Sequence, residues 1–144
     1  MVIDASVAIK WVVTEEGTEQ AVSLLSAGPL SAPDLLVAEC ANILWKKVAR
    51  SELTPEEALL AARILERAEI ELHPMRSLLE PAARLAIDLD HPAYDCVYLA
   101  LAIANGWQFV TADMRLLAKA RQSASDLGQA VVSLTEASAL NQGL

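Results

Sequence analysis

The sequence predicts an α/β protein built on a parallel sheet of about five strands, and three observations indicate this class. Short apolar runs alternate with longer helical patterns, an order typical of parallel sheets whose strands are joined by crossover helices. Turn and helix-start signals separate these segments, as at Gly28-Pro29, Thr54-Pro55 and His91-Pro92. The length of 144 residues is sufficient to bury a core within one domain, 1–144.

The elements follow in order from these signals. The predicted strands are residues 1–4, 29–32, 69–72, 108–111 and 130–133. The predicted helices are residues 5–13, 17–27, 33–51, 54–67, 75–89, 92–105 and 113–125. Thr54 and Glu57 form a capping box around Pro55, which makes one helix start particularly clear. We expect the tail, 134–144, to be a short peripheral helix that frays.

Two consecutive predicted helices, 33–51 and 54–67, separate the second strand from the third. A single crossover helix would be enough to join two parallel strands, so this helical hairpin is an insertion beyond the minimal unit. It can serve as a binding surface or a lid, or it can simply cover the sheet. Spacing alone does not decide between these roles.

Composition and charge exclude several classes of protein. No apolar stretch reaches the length of a membrane span, and we expect no signal peptide. Two cysteines do not make a disulfide framework, so we expect a cytoplasmic protein. The net charge of −8 argues against broad electrostatic binding of nucleic acid, but clustered basic residues leave a local phosphate contact open. The candidate contacts are Lys46, Lys47, Arg50 and Arg115.

Four carboxylates stand where an apolar run gives way to a helical pattern or early in a helix: Asp4, Glu39, Asp95 and Asp113. Such positions collect at the carboxyl ends of parallel strands, where ligands bind in open α/β sheets. Four acids in one site cannot all stay ionised and unpaired, because like charges raise each other's pKa. A hard divalent cation with oxygen ligands resolves this conflict. The pattern therefore points to a metal-dependent enzyme.

Each acid also has a simpler explanation. Asp4 and Asp113 can each be explained as the cap of the helix that follows, and for Asp113 this explanation is as good as metal binding. Glu39 can be a surface acid on an amphipathic helix. Asp95 is different, because its helix is otherwise almost entirely apolar and an unpartnered charge there would be costly. His91, which precedes a proline, is expected to be a turn residue rather than a metal ligand.

Other classes with acids at strand ends fit less well. A receiver domain needs an acidic pair by the first strand, and a dehalogenase-like phosphatase needs an Asp where Ser6 stands. A P-loop enzyme is excluded because no Gly-rich run followed by Lys is present.

The acids and their neighbours together resemble the PIN-domain ribonucleases, specifically the VapC-type toxins of toxin–antitoxin modules. The resemblance covers residues 1 to about 120 and consists of four motifs in the expected order. They are Val-Ile-Asp4-Ala-Ser6-Val-Ala, the acid Glu39, Tyr94-Asp95-Cys-Val-Tyr98-Leu-Ala-Leu-Ala, and Val-Thr111-Ala-Asp113-Met-Arg115-Leu-Leu. It implies a PIN-like three-layer α/β/α sandwich with the inserted helical hairpin.

The resemblance also implies a function. Asp4, Glu39, Asp95 and Asp113 would hold Mg²⁺ or Mn²⁺, with Ser6 and Thr111 in support. Metal-activated water would hydrolyse RNA phosphodiester bonds and leave 5′-phosphate and 3′-hydroxyl ends. The family further implies a homodimer and inhibition by a small, VapB-like antitoxin. The alternative is a PIN-fold protein-binding module with weak or no nuclease activity.

Overall fold

The computed structural model describes residues 1–123 and 125–143. The strands are β1 Val2–Ile3, β2 Leu30–Pro33, β3 Ile70–His73, β4 Phe109–Thr111 and β5 Val131–Ser133. The helices are α1 Ala5–Ala8, α2 Thr18–Ser23, α3 Leu35–Ala49, α4 Pro55–Leu65, α5 Leu79–Leu89, α6 Ala93–Asn105, α7 Met114–Gln122, α8 Ser125–Ala130 and α9 Leu134–Gln142. Short 3₁₀ turns lie at Ile9–Trp11, Leu24–Ser26 and Arg76–Leu78.

Within the described residues the strands form one parallel sheet with the order β3-β2-β1-β4-β5. The predicted α/β class with about five parallel strands is therefore confirmed. Because crossovers between parallel strands are right-handed, this order places α1 to α4 on one face and α5 to α8 on the other. The strand order reverses between β1 and β4, so a crevice opens at their carboxyl ends.

The core lies between the sheet and its two helical layers. Val2, Ile3, Phe109 and Val110 of the central strands are at most 1% exposed. On α6, Tyr98 stacks on Phe109 with ring centroids 5.7 Å apart. This packing holds the first turn of α6, which carries Asp95, over the carboxyl end of the sheet.

The inserted helical hairpin consists of α3 and α4. The predicted capping box is confirmed, since the Thr54 hydroxyl accepts from the Glu57 amide and the Glu57 carboxylate accepts from the Thr54 amide. Leu44 on α3 packs with Ala58 and Ala61 on α4 in a small satellite core. Ile9, from the turn after α1, joins this cluster, so the hairpin is a packed unit that is also anchored to the rest of the structure.

Two details at the carboxyl-terminal end differ from expectation. The predicted helix 113–125 ends at Gln122, and a separate helix, α8, follows it; Ala124 lies outside the described residues. The tail is helical as predicted, but it is less peripheral than expected because Leu134 and Ala137 join the core. A second capping box, from Ser133 to Glu136, starts α9. Leu144 lies outside the described residues.

None of the helices in the described ranges combines the length and the apolar character needed to cross a bilayer.

Candidate metal centre

Asp4 lies at the carboxyl end of β1, where the chain turns into α1. Its Oδ1 accepts hydrogen bonds from the Val7 amide at 3.1 Å and from the Ser6 hydroxyl at 2.5 Å. Its Oδ2 accepts a 2.6 Å hydrogen bond from the Thr111 hydroxyl. Burial raises the pKa of Asp4 to about 6, while these three hydrogen bonds favour the ionised form. Asp4 is thus a helix cap and also a buried carboxylate held by donors from α1 and from β4.

Asp113 occupies the equivalent position after β4. Its Oδ1 caps α7 by accepting from the amides of Arg115 and Leu116, at 2.9 and 3.3 Å. Its own amide donates to the Thr111 hydroxyl at 2.9 Å, so Thr111 links Asp113 to Asp4. The cap uses one carboxylate oxygen, and the other, Oδ2, faces His91. A capping role therefore leaves one oxygen of Asp113 directed into the crevice.

Asp95 projects from the first turn of α6. Its Oδ2 lies 2.7 Å from Nε2 of His91, and that nitrogen lies 3.9 Å from Oδ2 of Asp113. Burial raises the pKa of Asp95, the Asp113 charge adds to this effect, and the hydrogen bond with His91 offsets part of it. The hydrogen bond with His91 thus offsets part of the free energy lost by placing an acid on this apolar helix.

Glu39 approaches the same crevice from the second turn of α3. Burial raises its pKa, and the Asp95 charge raises it further. The hydroxyl of Tyr98 is buried, and within the described residues it has no hydrogen-bond partner. Burial, and then the Glu39 carboxylate, raises the pKa of this phenol above its ordinary value. Glu39 is therefore a partly buried acid facing the site rather than a surface acid.

The structure brings the predicted acids together to different degrees. His91, Asp95 and Asp113 form the compact group, in which one ligand atom from each lies within 4.8 Å of the others. Asp4 and Glu39 are close enough for the Asp95 charge to raise the pKa of both. All four acids therefore share one electrostatic environment at the point where the strand order reverses.

His91 is the residue of this cluster that the sequence pattern did not predict. The His91-Pro92 pair predicts a turn, and the residue does lie in the turn between α5 and α6. Its side chain is nevertheless only 6% exposed and points at Asp95. The available signal was the spacing, because a side chain just before a helix can reach one in its first turn.

The predicted basic contacts occupy different settings. Lys46, Arg50 and Arg115 are exposed. Lys47 instead forms an ion pair of 2.9 Å with Glu15, which also pairs with Lys10 at 3.0 Å. The side chain of Lys47 is 16% exposed, so its charge is largely engaged within the protein.

Comparison with known proteins agrees with this fold. Residues 1–122 match the PIN domain family. Ribonuclease VapC3 from Pyrobaculum aerophilum is 34% identical over 125 residues, which cover 83% of this chain and 93% of the relative. Ribonuclease VapC9 from Mycobacterium tuberculosis is 32% identical over 135 residues, which cover 94% of this chain and 96% of the relative. The crystal structure of PAE2754 from P. aerophilum superposes with a TM-score of 0.69 at 21% identity, covering 99% of this chain and 89% of that one.

The chain therefore belongs to the PIN domain family, as a VapC-type member.

Proposed function

We propose that this chain is the toxin of a VapC-type toxin–antitoxin pair, an endoribonuclease that hydrolyses RNA phosphodiester bonds with a divalent cation. The observation that carries the proposal is the convergence of Asp4, Glu39, Asp95 and Asp113 at the carboxyl edge of the sheet. The relatives named ribonuclease VapC support RNA as the substrate class. The cation is proposed to be Mg²⁺ or Mn²⁺.

The donor set fits such a cation. Carboxylate oxygens are the ligands that Mg²⁺ prefers, and Mg²⁺ is usually held by only one or two of them together with waters. Oδ2 of Asp113 is free of the cap, and Asp95 has a second oxygen besides the one that meets His91. Asp95 and Asp113 would therefore be direct ligands together with Asp4. When bound, the cation would make a water more acidic and stabilise charge on the leaving oxygen.

The chain's own residues would prepare the site for that ion. Ser6 and Thr111 fix the Asp4 carboxylate, and the caps of α1 and α7 fix Asp4 and Asp113 at helix amino ends. Glu39, which is farther from the compact group, would act through water, and the buried Tyr98 hydroxyl would donate to that water or to Glu39. Arg115, exposed just after the cap, would contact an RNA phosphate.

The proposed partner is a small antitoxin, and an apolar groove favours one place for it. The groove, of about 340 Å³, runs between α3, α4 and β3, and its lining includes Val37, Ala41, Leu44 and Leu72. Glu66 also lines it, and Glu69 and Glu71 are exposed on either side of Ile70. This combination suits an apolar segment carrying basic residues. The homodimer expected from the resemblance stays a prediction.

The rival function is a PIN-fold binding module without turnover. A titration of metal-stripped protein with Mn²⁺ distinguishes these two functions. Thermal unfolding and cleavage of total bacterial RNA are measured at each Mn²⁺ concentration. For the nuclease, we expect the unfolding temperature to rise with the logarithm of free Mn²⁺ and discrete RNA fragments to appear over the same range. EDTA should abolish both effects. Saturable metal binding without any cleavage would favour the binding module.

A further inference from the structure

The turn that carries His91 is held firmly against the neighbouring helices. Asp90 ends α5 with a positive φ of 49°, and its carbonyl accepts a hydrogen bond from the Lys119 ammonium on α7. The His91 amide donates to the Ala86 carbonyl at 3.1 Å, and Pro92 is the N-cap residue of α6. Because Asp113 caps the start of α7 and Asp95 lies in the first turn of α6, this one turn contacts both helices that carry an acid at their amino ends.

The imidazole then meets both of those acids. Nε2 lies 2.7 Å from Oδ2 of Asp95, a hydrogen-bonding distance, and 3.9 Å from Oδ2 of Asp113. The side chain is 6% exposed, so water does not compete freely for these contacts. Two carboxylates this close together repel each other, and a donor placed between them opposes that repulsion.

We propose that His91 is a positioning residue that donates Nε2–H to Asp95 and thereby holds the Asp95 carboxylate in the orientation that a cation needs. The inference rests on the proposed function, which places a divalent cation at these acids. The hydrogen bond occupies Oδ2 of Asp95 and leaves Oδ1 for the ion. Without it, the Asp95 side chain is free to rotate away from Asp113. Partners of this kind, which orient a ligand without touching the ion, typically change metal affinity 10–100-fold, about the range expected here.

The ligand preference of a hard cation favours positioning over direct ligation. A hard cation such as Mg²⁺ selects oxygen over imidazole nitrogen, whereas Mn²⁺ tolerates nitrogen better. A positioning role therefore predicts the same loss of affinity for both ions when the imidazole is removed. Direct ligation predicts a larger loss for Mn²⁺ than for Mg²⁺.

The first test measures Mn²⁺ and Mg²⁺ dissociation constants at one fixed pH for the wild type, His91→Leu and His91→Gln. His91→Leu removes the donor, while His91→Gln keeps an N–H near the position of Nε2. We expect His91→Leu to bind each ion about tenfold more weakly than the wild type, or weaker still. His91→Gln should bind each ion within about threefold of the wild type. His73→Gln, which changes the other histidine of the chain, should bind both ions as the wild type does.

The second test does not require a variant at His91 to fold. ¹⁵N spectra of the imidazoles are recorded in the metal-free and the Mg²⁺-loaded wild type, and His73→Gln assigns the two histidines. We expect the Nε2–H of His91 to be present in both states. Its disappearance on loading, or a loss of affinity confined to Mn²⁺ in His91→Leu, would make His91 a ligand and overturn the proposal.

The outcomes also separate this proposal from the function on which it rests. If the wild type binds neither ion, the proposed metal-dependent function fails before His91 is questioned. If the wild type binds both ions and a folded His91→Leu binds them equally well, the role of His91 alone is refuted. Circular dichroism and thermal unfolding in EDTA establish whether the variant is folded.

Discussion

The Thr111 hydroxyl donates a 2.6 Å hydrogen bond to Oδ2 of Asp4, joining the carboxyl ends of two adjacent strands across 107 positions of sequence. Thr111 also accepts a hydrogen bond from the Asp113 amide at 2.9 Å. One buried hydroxyl therefore fixes an acid from β1 and the start of the helix that carries an acid after β4. Protein contacts at the ends of β1 and β4 therefore hold these two acids in place.

Thr111→Val should destabilise the metal-free protein. Valine has nearly the same shape but removes both the donor to Asp4 and the acceptor for the Asp113 amide, and leaving such buried groups unpaired costs about 1–3 kcal/mol. Urea denaturation in EDTA measures the loss. Thr111→Ser keeps the hydroxyl and should lose less than half as much. Equal losses in the two variants would show that the hydroxyl contributes little.

The pKa of Asp4 predicts a particular pH dependence of stability. Burial raises this pKa from 3.8 to about 6, so the folded protein binds the Asp4 proton more tightly than the unfolded chain does. The resulting stabilisation is fully present below about pH 4 and is lost as the pH rises through about 6. The loss is of the order of 3 kcal/mol.

Asp4→Asn should lack this dependence. In EDTA, the free energy of unfolding of Asp4→Asn relative to the wild type should increase between about pH 4 and about pH 7. Denaturation curves at several pH values measure the difference, and any constant offset from altered hydrogen bonds cancels. Parallel pH profiles for the two proteins would contradict the raised pKa.

Lys46 and Lys47 are adjacent in sequence but should respond differently to substitution. Lys47→Ala breaks the partly buried pair with Glu15 and should reduce stability by about 1 kcal/mol. Partial burial alone would raise the pKa of Glu15, but its pairs with Lys47 and Lys10 hold that pKa below its ordinary value. Lys46→Ala should leave stability unchanged and weaken RNA binding, with a shallower dependence on salt.

A double-mutant cycle with Glu15→Gln checks the ion pair. The effects of Lys47→Ala and Glu15→Gln should not be additive, because each substitution removes the same contact. Additive losses of stability would show that the two side chains are not coupled. A defect in RNA binding that appears in Lys47→Ala but not in Lys46→Ala would identify Lys47 as an RNA contact.

The groove between α3, α4 and β3 predicts a variant that separates antitoxin binding from catalysis. Ala41 lines the groove and is exposed, so Ala41→Arg should fold normally while its charge and bulk obstruct an apolar segment. Co-expression with the proposed cognate antitoxin should yield a complex for the wild type but not for Ala41→Arg. RNA cleavage should be unchanged. Ala83→Arg, on the exposed face of α5, is the matched control and should form the complex as the wild type does. A stable complex with Ala41→Arg would show that the antitoxin binds outside this groove.

Much of the fold was predictable from the sequence because its signals are local. The strands lie within a residue or two of their predicted positions, and the second helix of the hairpin, α4, begins at the predicted capping box of Thr54 and Glu57. One carboxylate oxygen of Asp113 caps α7 as predicted, and the other faces the cluster, a position compatible with the predicted metal role. Helix capping and exposure to a ligand crevice thus coincide at the end of a parallel strand.

The features that were not predicted depend on contacts distant in sequence. Lys47 meets Glu15 across 32 positions, and no local pattern distinguishes it from the exposed Lys46. The tail joins the core because α9 brings Leu134 and Ala137 back onto the structure. His91 was missed for another reason: its proline neighbour accounts for a turn, and a turn gives no indication of where the imidazole points.

Cleavage of total bacterial RNA by Asp95→Asn tests the central claim most directly. The substitution removes a negative charge at nearly constant volume, so the fold should persist while the cation loses a ligand. With Mg²⁺ or Mn²⁺, we expect the wild type and the exposed control Asp88→Asn to produce the same discrete fragments, and Asp95→Asn to produce none. Asp95→Asn activity within a few-fold of the wild type would contradict the account, because the acid at the centre of the site would then not be needed.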